Sequence, residues 1–151
     1  QTALAVTQIF GTRKNIGSSS ESIQINHADI LVNYQNFSFT HNSGYGYDLQ
    51  TVILHEMGHF LGLFHLPGNA VNSCRFDDAI GDTPNSSSLH FEIPVPGAST
   101  TTCGSQDMYW SFLNNADDSV LYMFTTGQSK RMRASLESSR GSRRNFLDKS
   151  E

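Results

Sequence analysis

The sequence predicts an α+β domain: a small mixed β-sheet, a helix bearing clustered histidines, and a second helix near the C-terminus. Three observations predict it. The 151 residues suffice for one domain with a core and are too few for two ordinary ones. The first forty residues carry short apolar runs with strand-like alternation. From Asp48 the apolar spacing changes to a helical period, and a helical pattern returns near Thr126.

Residues 4–10 form a short apolar stretch and read as a strand, and the polar run ending in Ser18-Ser19-Ser20 reads as a loop. Ile23 and Ile25 alternate with polar neighbours, residues 28–34 are more continuously apolar, and Phe37 and Phe39 alternate again. Together these read as two or three strands. Residues 41–47, with Gly44 and Gly46, read as a loop or a loose edge strand. Residues 48–61 form the strongest helix, with Asp48 as N-cap and Gly62 as the stop. Its apolar surface is Leu49, Val52, Ile53, Met57, Phe60 and Leu61. Residues 66–107 hold all four prolines and both cysteines and read as irregular, a length of connection that calls for a function or a staple. The last helix runs from Thr126 to about Ser139, opened by a Thr125 to Gln128 capping box, with Met132 and Leu136 one turn apart. The polar tail from Arg140 is expected to fray.

Composition excludes several function classes. Ten basic against 14 acidic residues give a net charge of −4, which argues against a nucleic-acid partner. No apolar run approaches the roughly 20 residues of a membrane span. The chain starts at Gln1 with no signal-peptide pattern, so an upstream leader or pro-segment is expected to have been removed. The two cysteines, Cys74 and Cys103, leave two readings open: buried free thiols, or one disulfide and hence an oxidising compartment. Asn36-Phe37-Ser38 and Asn85-Ser86-Ser87 are glycosylation triplets of a kind common by chance.

The stretch HEMGHFLGLFH, residues 55–65, carries the chemistry. His55 and His59 are four apart, so on a helix they project about 40° apart from one face. Two imidazoles placed so can share one zinc ion, and Glu56 can reach a water held by that ion. Gly62 lets the backbone turn sharply and bring His65 back to the same point. Three neutral imidazoles leave a position open for water, the pattern of a catalytic rather than a structural zinc site. Three histidines, a glutamate and a glycine at these positions arise by chance on the order of 10⁻⁷ per window. Glu56 is then the candidate general base, taking a proton from water and passing it to a leaving amine. The remaining histidines, His27, His41 and His90, have no ligand spacing and read as ordinary surface or hydrogen-bonded residues.

HExxHxxGxxH is the metzincin signature, and further segments resemble the pappalysin-like family, the group of pappalysin and ulilysin. After the helix that family has a cysteine, an Asp-Thr-Pro segment and a second cysteine, resembled here by Cys74, Asp82-Thr83-Pro84 and Cys103. It then has a stretch like NYMDYSDDSC and later FTPGQ with a nearby RM. This chain reads SFLNNADDSV from Ser111 and then LYMFTTGQSKRM. The resemblance covers roughly residues 49–136. It implies a metzincin-like fold, a Cys74–Cys103 disulfide, and a structural calcium ion whose ligand positions fall on Asp78 and Thr83, with Asp77 and Asp82 close by.

The chain departs from the family at several places. The methionine under the imidazoles falls on Leu113, a swap of similar volume that the site should tolerate. The aspartate and tyrosine that follow fall on Asn114 and Asn115. In relatives such a tyrosine can donate to the tetrahedral oxyanion, so its loss is expected to cost rate. The family's final cysteine falls on Val120, and its partner is missing too. Only 54 residues precede His55, fewer than metzincins usually have, which implies a compact variant or a processed fragment.

The resulting expectation is a single metallopeptidase domain over residues 1–151. Residues 1–62 supply the sheet and active-site helix, and 63–151 the C-terminal subdomain. Its function is that of a secreted zinc-dependent endopeptidase acting on protein or peptide substrates, with zinc as cofactor and calcium as a second candidate ion. A propeptide or inhibitor is the further partner the resemblance implies. Asp117 or Asp118 would favour a basic substrate residue after the scissile bond. The alternative is a zinc-holding binding module with weakened catalysis, favoured by the segment from Leu113 to Asn115.

Overall fold

The computed structural model describes residues 3–14, 22–41, 46–68, 71–92 and 100–137. The loop around Ser18-Ser19-Ser20, the turn at Gly44, the side chain of His27 and the tail from Arg140 lie outside the described residues.

Strand β1, Ala5–Lys14, pairs antiparallel with β2, Ser22–Val32, from Ala5 opposite Val32 to Lys14 opposite Ser22. β1 runs four residues beyond its apolar stretch, because hairpin pairing to β2 carries the backbone past it. β2 is one strand where the sequence reads as two runs. Ile23 and Ile25 occupy odd positions and Ala28, Ile30 and Val32 even ones, so the apolar phase slips by one. The register shifts at that point: Phe10 faces His27 and Gly11 faces Ile25, leaving Asn26 as the extra residue of a bulge. A second, parallel pairing joins β3, Phe39–Thr40, to β4, Tyr47–Asp48, so both strand senses occur, in separate ladders. Tyr47 packs edge-on against Phe37 with ring centres 5.6 Å apart.

Helix α1 spans Leu49–Phe60. Asp48 caps it, with Oδ2 accepting from Thr51 N at 2.8 Å. It ends in a Schellman turn. Gly62 has φ +89°, Leu63 N donates to Gly58 O at 3.0 Å, and Gly62 N donates to His59 O at 3.0 Å. Val52 is buried and Leu49, Ile53, Phe60 and Leu61 are half-buried, but Met57 is exposed. The expected apolar surface is too wide by Met57, because the buried face closes instead over Thr51, Glu56 and Gly58.

No helix or named strand occurs among the described residues of 66–107. Side chains hold the segment instead. Asp107 is buried and accepts from Thr102 N, Thr102 Oγ1 and His90 Nε2. Cys74 and Cys103 form a disulfide that closes a 29-residue separation. By the chain-entropy argument that stabilises by about 3–4 kcal/mol.

Helix α2, Thr126–Glu137, opens with the capping box the sequence predicts: Gln128 N donates to Thr125 Oγ1 at 3.0 Å and Thr125 N to Gln128 Oε1 at 2.9 Å. Asp82 adds to it, taking Gly127 N and Thr125 Oγ1 at 2.8 Å each. A β-carbon at position 127 would fall 2.4 Å from Asp82 Oδ1, so only glycine lets the carboxylate this close. The core below α1 consists of Leu63, Leu66, Ile80 and Leu113, with Met108, Phe112, Phe124 and Met132 packed against it. No helix among the described residues is long and apolar enough to cross a membrane.

Candidate metal centre

The three histidines converge. His55 Nε2 lies 3.0 Å from His59 Nε2 and 3.0 Å from His65 Nε2, and the last two are 3.2 Å apart. Helical spacing aligns the first pair, and the turn at Gly62 returns the chain to place the third. Behind the rings, His55 Nδ1 sits 2.6 Å from Phe112 O and His59 Nδ1 3.0 Å from Leu63 O. A carbonyl only accepts, so both Nδ1 atoms are the protonated ones and both Nε2 atoms present lone pairs inward. The Leu63 carbonyl belongs to the same turn that ends α1, so one device stops the helix and orients a ligand.

Inward lone pairs this close repel one another unless a cation lies between them. A tetrahedral ion with bonds of about 2.0–2.1 Å spaces its nitrogens roughly 3.3 Å apart, close to the observed triangle. The donor set, three neutral imidazoles on a rigid frame, fits zinc. Burial, then the neighbouring rings of His55 and His59, push the His65 imidazole down to about 3. Burial and His59 likewise lower His55. Both stay neutral, the ligating form, at physiological pH. Among the described residues this is the one cluster of three such groups.

Glu56 lies next to His55 on α1 and is 6% exposed. Its Oε2 accepts from Thr7 Oγ1 at 2.5 Å, and the same hydroxyl lies 3.0 Å from Glu56 O. Leu113 is wholly buried against α1, where a β-carbon on Gly58 would fall 2.9 Å from its Cδ2. Leu113 N donates to Ser111 Oγ at 3.3 Å, and Ser111 in turn meets the Gln128 amide at 3.4 Å. The start of α2 is thereby connected to the buried Leu113.

Asn114 is buried and its Oδ1 accepts from His90 N and Asn115 N, at 2.8 Å each. Tyr109 packs on Trp110 and His90, while Tyr122 is 67% exposed. Asp117 caps a short 3₁₀ turn over Asp118–Val120. Asp118 Oδ2 accepts from Asp48 N at 2.5 Å, joining the start of α1 to residue 118. Burial raises the Asp118 carboxyl, against the lowering effect of that bond.

Asp78 and Thr83 come together: Thr83 Oγ1 donates to Asp78 Oδ1 at 2.7 Å, and Ile80 N donates to the same oxygen at 3.2 Å. Asp78 Oδ2 is buried with no hydrogen-bond partner. Asp77 and Asp82 turn to other work, Asp77 accepting from Ala79 N at 2.7 Å and Asp82 capping α2.

Several of these contacts are absent from the sequence reading, the Asp118–Asp48 bond among them. Gly58 could have been found, since a glycine inside a helix marks a close approach. The Asp82 cap, the His90–Asp107 pair and the Thr7–Glu56 bond join distant positions and leave no local signal.

The comparisons agree with this geometry. The family model described as Pregnancy-associated plasma protein-A, a peptidase family, matches residues 18–137. The chain belongs to that family of zinc metallopeptidases, of the metzincin type. Extracellular metalloprotease 1 of Coccidioides posadasii is 34% identical over 90 residues, covering 60% of this chain and 32% of that protein. An extracellular metalloprotease of Arthroderma gypseum is 33% identical over 91 residues, covering 60% and 31%. Among solved structures, mature mirolysin of Tannerella forsythia with a cleaved peptide is similar at a TM-score of 0.64 and 30% identity, over 78% of this chain and 44% of that one. Promirolysin is similar at 0.63 and 31% identity, over 78% and 39%. The chain thus spans less than half the length of these relatives.

Proposed function

We propose that this chain carries the catalytic centre of a secreted zinc-dependent endopeptidase. The observation that carries the reading is the triangle of Nε2 atoms with two Nδ1 atoms locked on carbonyls, with Glu56 next to His55 on α1. Zinc held by His55, His59 and His65 supplies polarisation of a peptide carbonyl and a more acidic water. Glu56 takes the proton from the attacking water as the oxygen bonds to the carbonyl carbon. It then delivers that proton to the amine as the carbon–nitrogen bond breaks. Leu113 is the apolar floor that keeps the imidazoles in place.

The peptide lies extended along a sheet edge. β1 is the candidate edge: it pairs on one side with β2, and its Thr7 reaches Glu56. Extracellular placement is supported by the names of the fungal relatives and by the disulfide. Solved promirolysin supports an accompanying pro-segment as a partner. The division at Gly62 is supported by the core, whose members all lie between Leu63 and Met132. A calcium ion at Asp78 and Thr83 is supported by the buried, unpartnered Asp78 Oδ2.

Digestion of a varied peptide pool, with cut sites read by mass spectrometry, tests the reading. Cleavage abolished by chelation and restored by zinc is expected, with Glu56→Gln keeping zinc and losing 10²- to 10⁴-fold in rate, as is typical for a proton-transfer group. A zinc-holding binding module is the second reading, favoured by Asn115 in place of a tyrosine and by an exposed Tyr122. Tight zinc with no cleavage above the chelated control selects it.

A further inference from the structure

Thr7 stands 49 positions before Glu56 and has no part in the metal motif. Its backbone is fixed by the β1–β2 ladder, opposite Ile30. As a β-branched residue it has little freedom at χ1, so the hydroxyl is held by the strand. That hydroxyl lies 2.5 Å from Glu56 Oε2, in the range of a charge-assisted O–H···O⁻ bond, and 3.0 Å from Glu56 O. The hydroxyl has one proton, and the shorter contact takes it, so the carboxylate is referenced to β1. A glutamate left to itself populates several rotamers over three side-chain torsions. A general base needs one, since small misplacement of a reacting group costs much rate.

We propose that Thr7 is a positioning residue for Glu56, its hydroxyl holding one carboxylate oxygen so that the base has a single orientation beside the three imidazoles. Thr7 does not touch the reacting atoms and acts through Glu56. The kinetic part of this inference rests on the endopeptidase reading, and the conformational part does not.

Zinc-loaded wild type, Thr7→Val, Thr7→Ser and Glu56→Gln are compared on one peptide substrate and by crystallography. Thr7→Val keeps the branched shape and removes the donor. It is expected to lower kcat by about 10- to 100-fold, the usual effect of losing an outer supporting hydrogen bond. KM and zinc content stay near wild type, Tm falls because the buried carboxylate loses its donor, and the Glu56 carboxylate spreads over more than one rotamer. Thr7→Ser restores both kcat and the single rotamer. Should Thr7→Val not fold, Thr7→Ala carries the same expectations. A single, unmoved Glu56 rotamer with wild-type kcat in Thr7→Val overturns the proposal, as does a Thr7→Ser as impaired as Thr7→Val. Zinc-loaded wild type that cleaves nothing above a chelated control overturns the endopeptidase reading instead, and undiminished turnover by Glu56→Gln overturns the general-base role; the Glu56 rotamer in Thr7→Val then decides the role of Thr7 by itself.

Discussion

Leu113 lies directly on Gly58, in the turn of α1 between the two helical histidines: a β-carbon built at Gly58 would fall 2.9 Å from Leu113 Cδ2 and 3.3 Å from Phe124 Cε1. Gly58→Ala therefore sets two effects against each other. Helix propensity favours alanine by about 0.5–1 kcal/mol. Overpacking a core with no free space costs about 1–3 kcal/mol. Leu113 is fully buried and cannot swing away, so the steric term wins and a net loss of about 1 kcal/mol is expected in urea titration. In a Leu113→Val background the same substitution should cost less, because the contacting methyl has been removed. Equal losses in both backgrounds would contradict the contact. Leu113→Met alone should stay within about 1.5 kcal/mol and keep its zinc.

Asp82 holds the start of α2 through Gly127 N and Thr125 Oγ1, and those two bonds lower its carboxyl below the ordinary range. A carboxylate with a folded value below the unfolded one stabilises the protein above the unfolded value and loses that contribution as pH falls through the folded one. Asp82→Asn should lower Tm at neutral pH and flatten its fall in the acid range below about pH 4. Thermal scans from pH 7 to pH 3 measure both. A mutant curve parallel to wild type down to pH 3 would rule out Asp82 as the titrating cap.

The Cys74–Cys103 bridge closes a segment with no helix or named strand among its described residues. Reduction should release about 3–4 kcal/mol of constraint. The zinc ligands lie on α1 and its terminal turn, outside the closed loop. Reduced protein should thus retain zinc at neutral pH while its urea midpoint drops. Loss of zinc at the same reductant concentration, with an unchanged midpoint, would show the bridge serving the metal site instead.

What could be read from the sequence was local. The four-residue spacing of His55 and His59, the Asp48 cap and the Thr125–Gln128 box are each set within one or two helical turns, and the structure places them as their spacing requires. Even the β2 bulge left a trace, the slipped apolar phase at Asn26, although two separate runs are the simpler reading of it. Thr7 on Glu56, Asp118 on Asp48 and Asp82 on α2 join positions 49, 70 and 45 residues apart. Each is one polar atom meeting one other, and neither periodicity nor composition registers such a contact. The apolar character of Met57 assigns it to the interior, yet a polar Glu56 takes the buried face because Thr7 satisfies it.

Asp78 supplies the last prediction. It is 1% exposed, its Oδ1 is satisfied by Thr83 and Ile80, and its Oδ2 has no partner. Burial raises its carboxyl above the ordinary range, with the Thr83 bond opposing. A folded value above the unfolded one means that the folded state binds the proton more readily, so stability falls as pH rises through that window. A calcium ion on Oδ2 would reverse the penalty by pairing the charge, and binding to the folded state alone stabilises in proportion to the logarithm of ion concentration. Calcium should therefore raise Tm at pH 7, with a smaller effect near pH 4 where protons compete for the carboxyl, and a calcium chelator should undo the rise. Asp78→Asn removes the charge while keeping the shape, so its Tm should not respond to calcium at either pH. Zinc content serves as the control and should be the same in both proteins. A wild-type Tm indifferent to millimolar calcium, or an Asp78→Asn protein that responds as wild type does, would remove Asp78 from any calcium site.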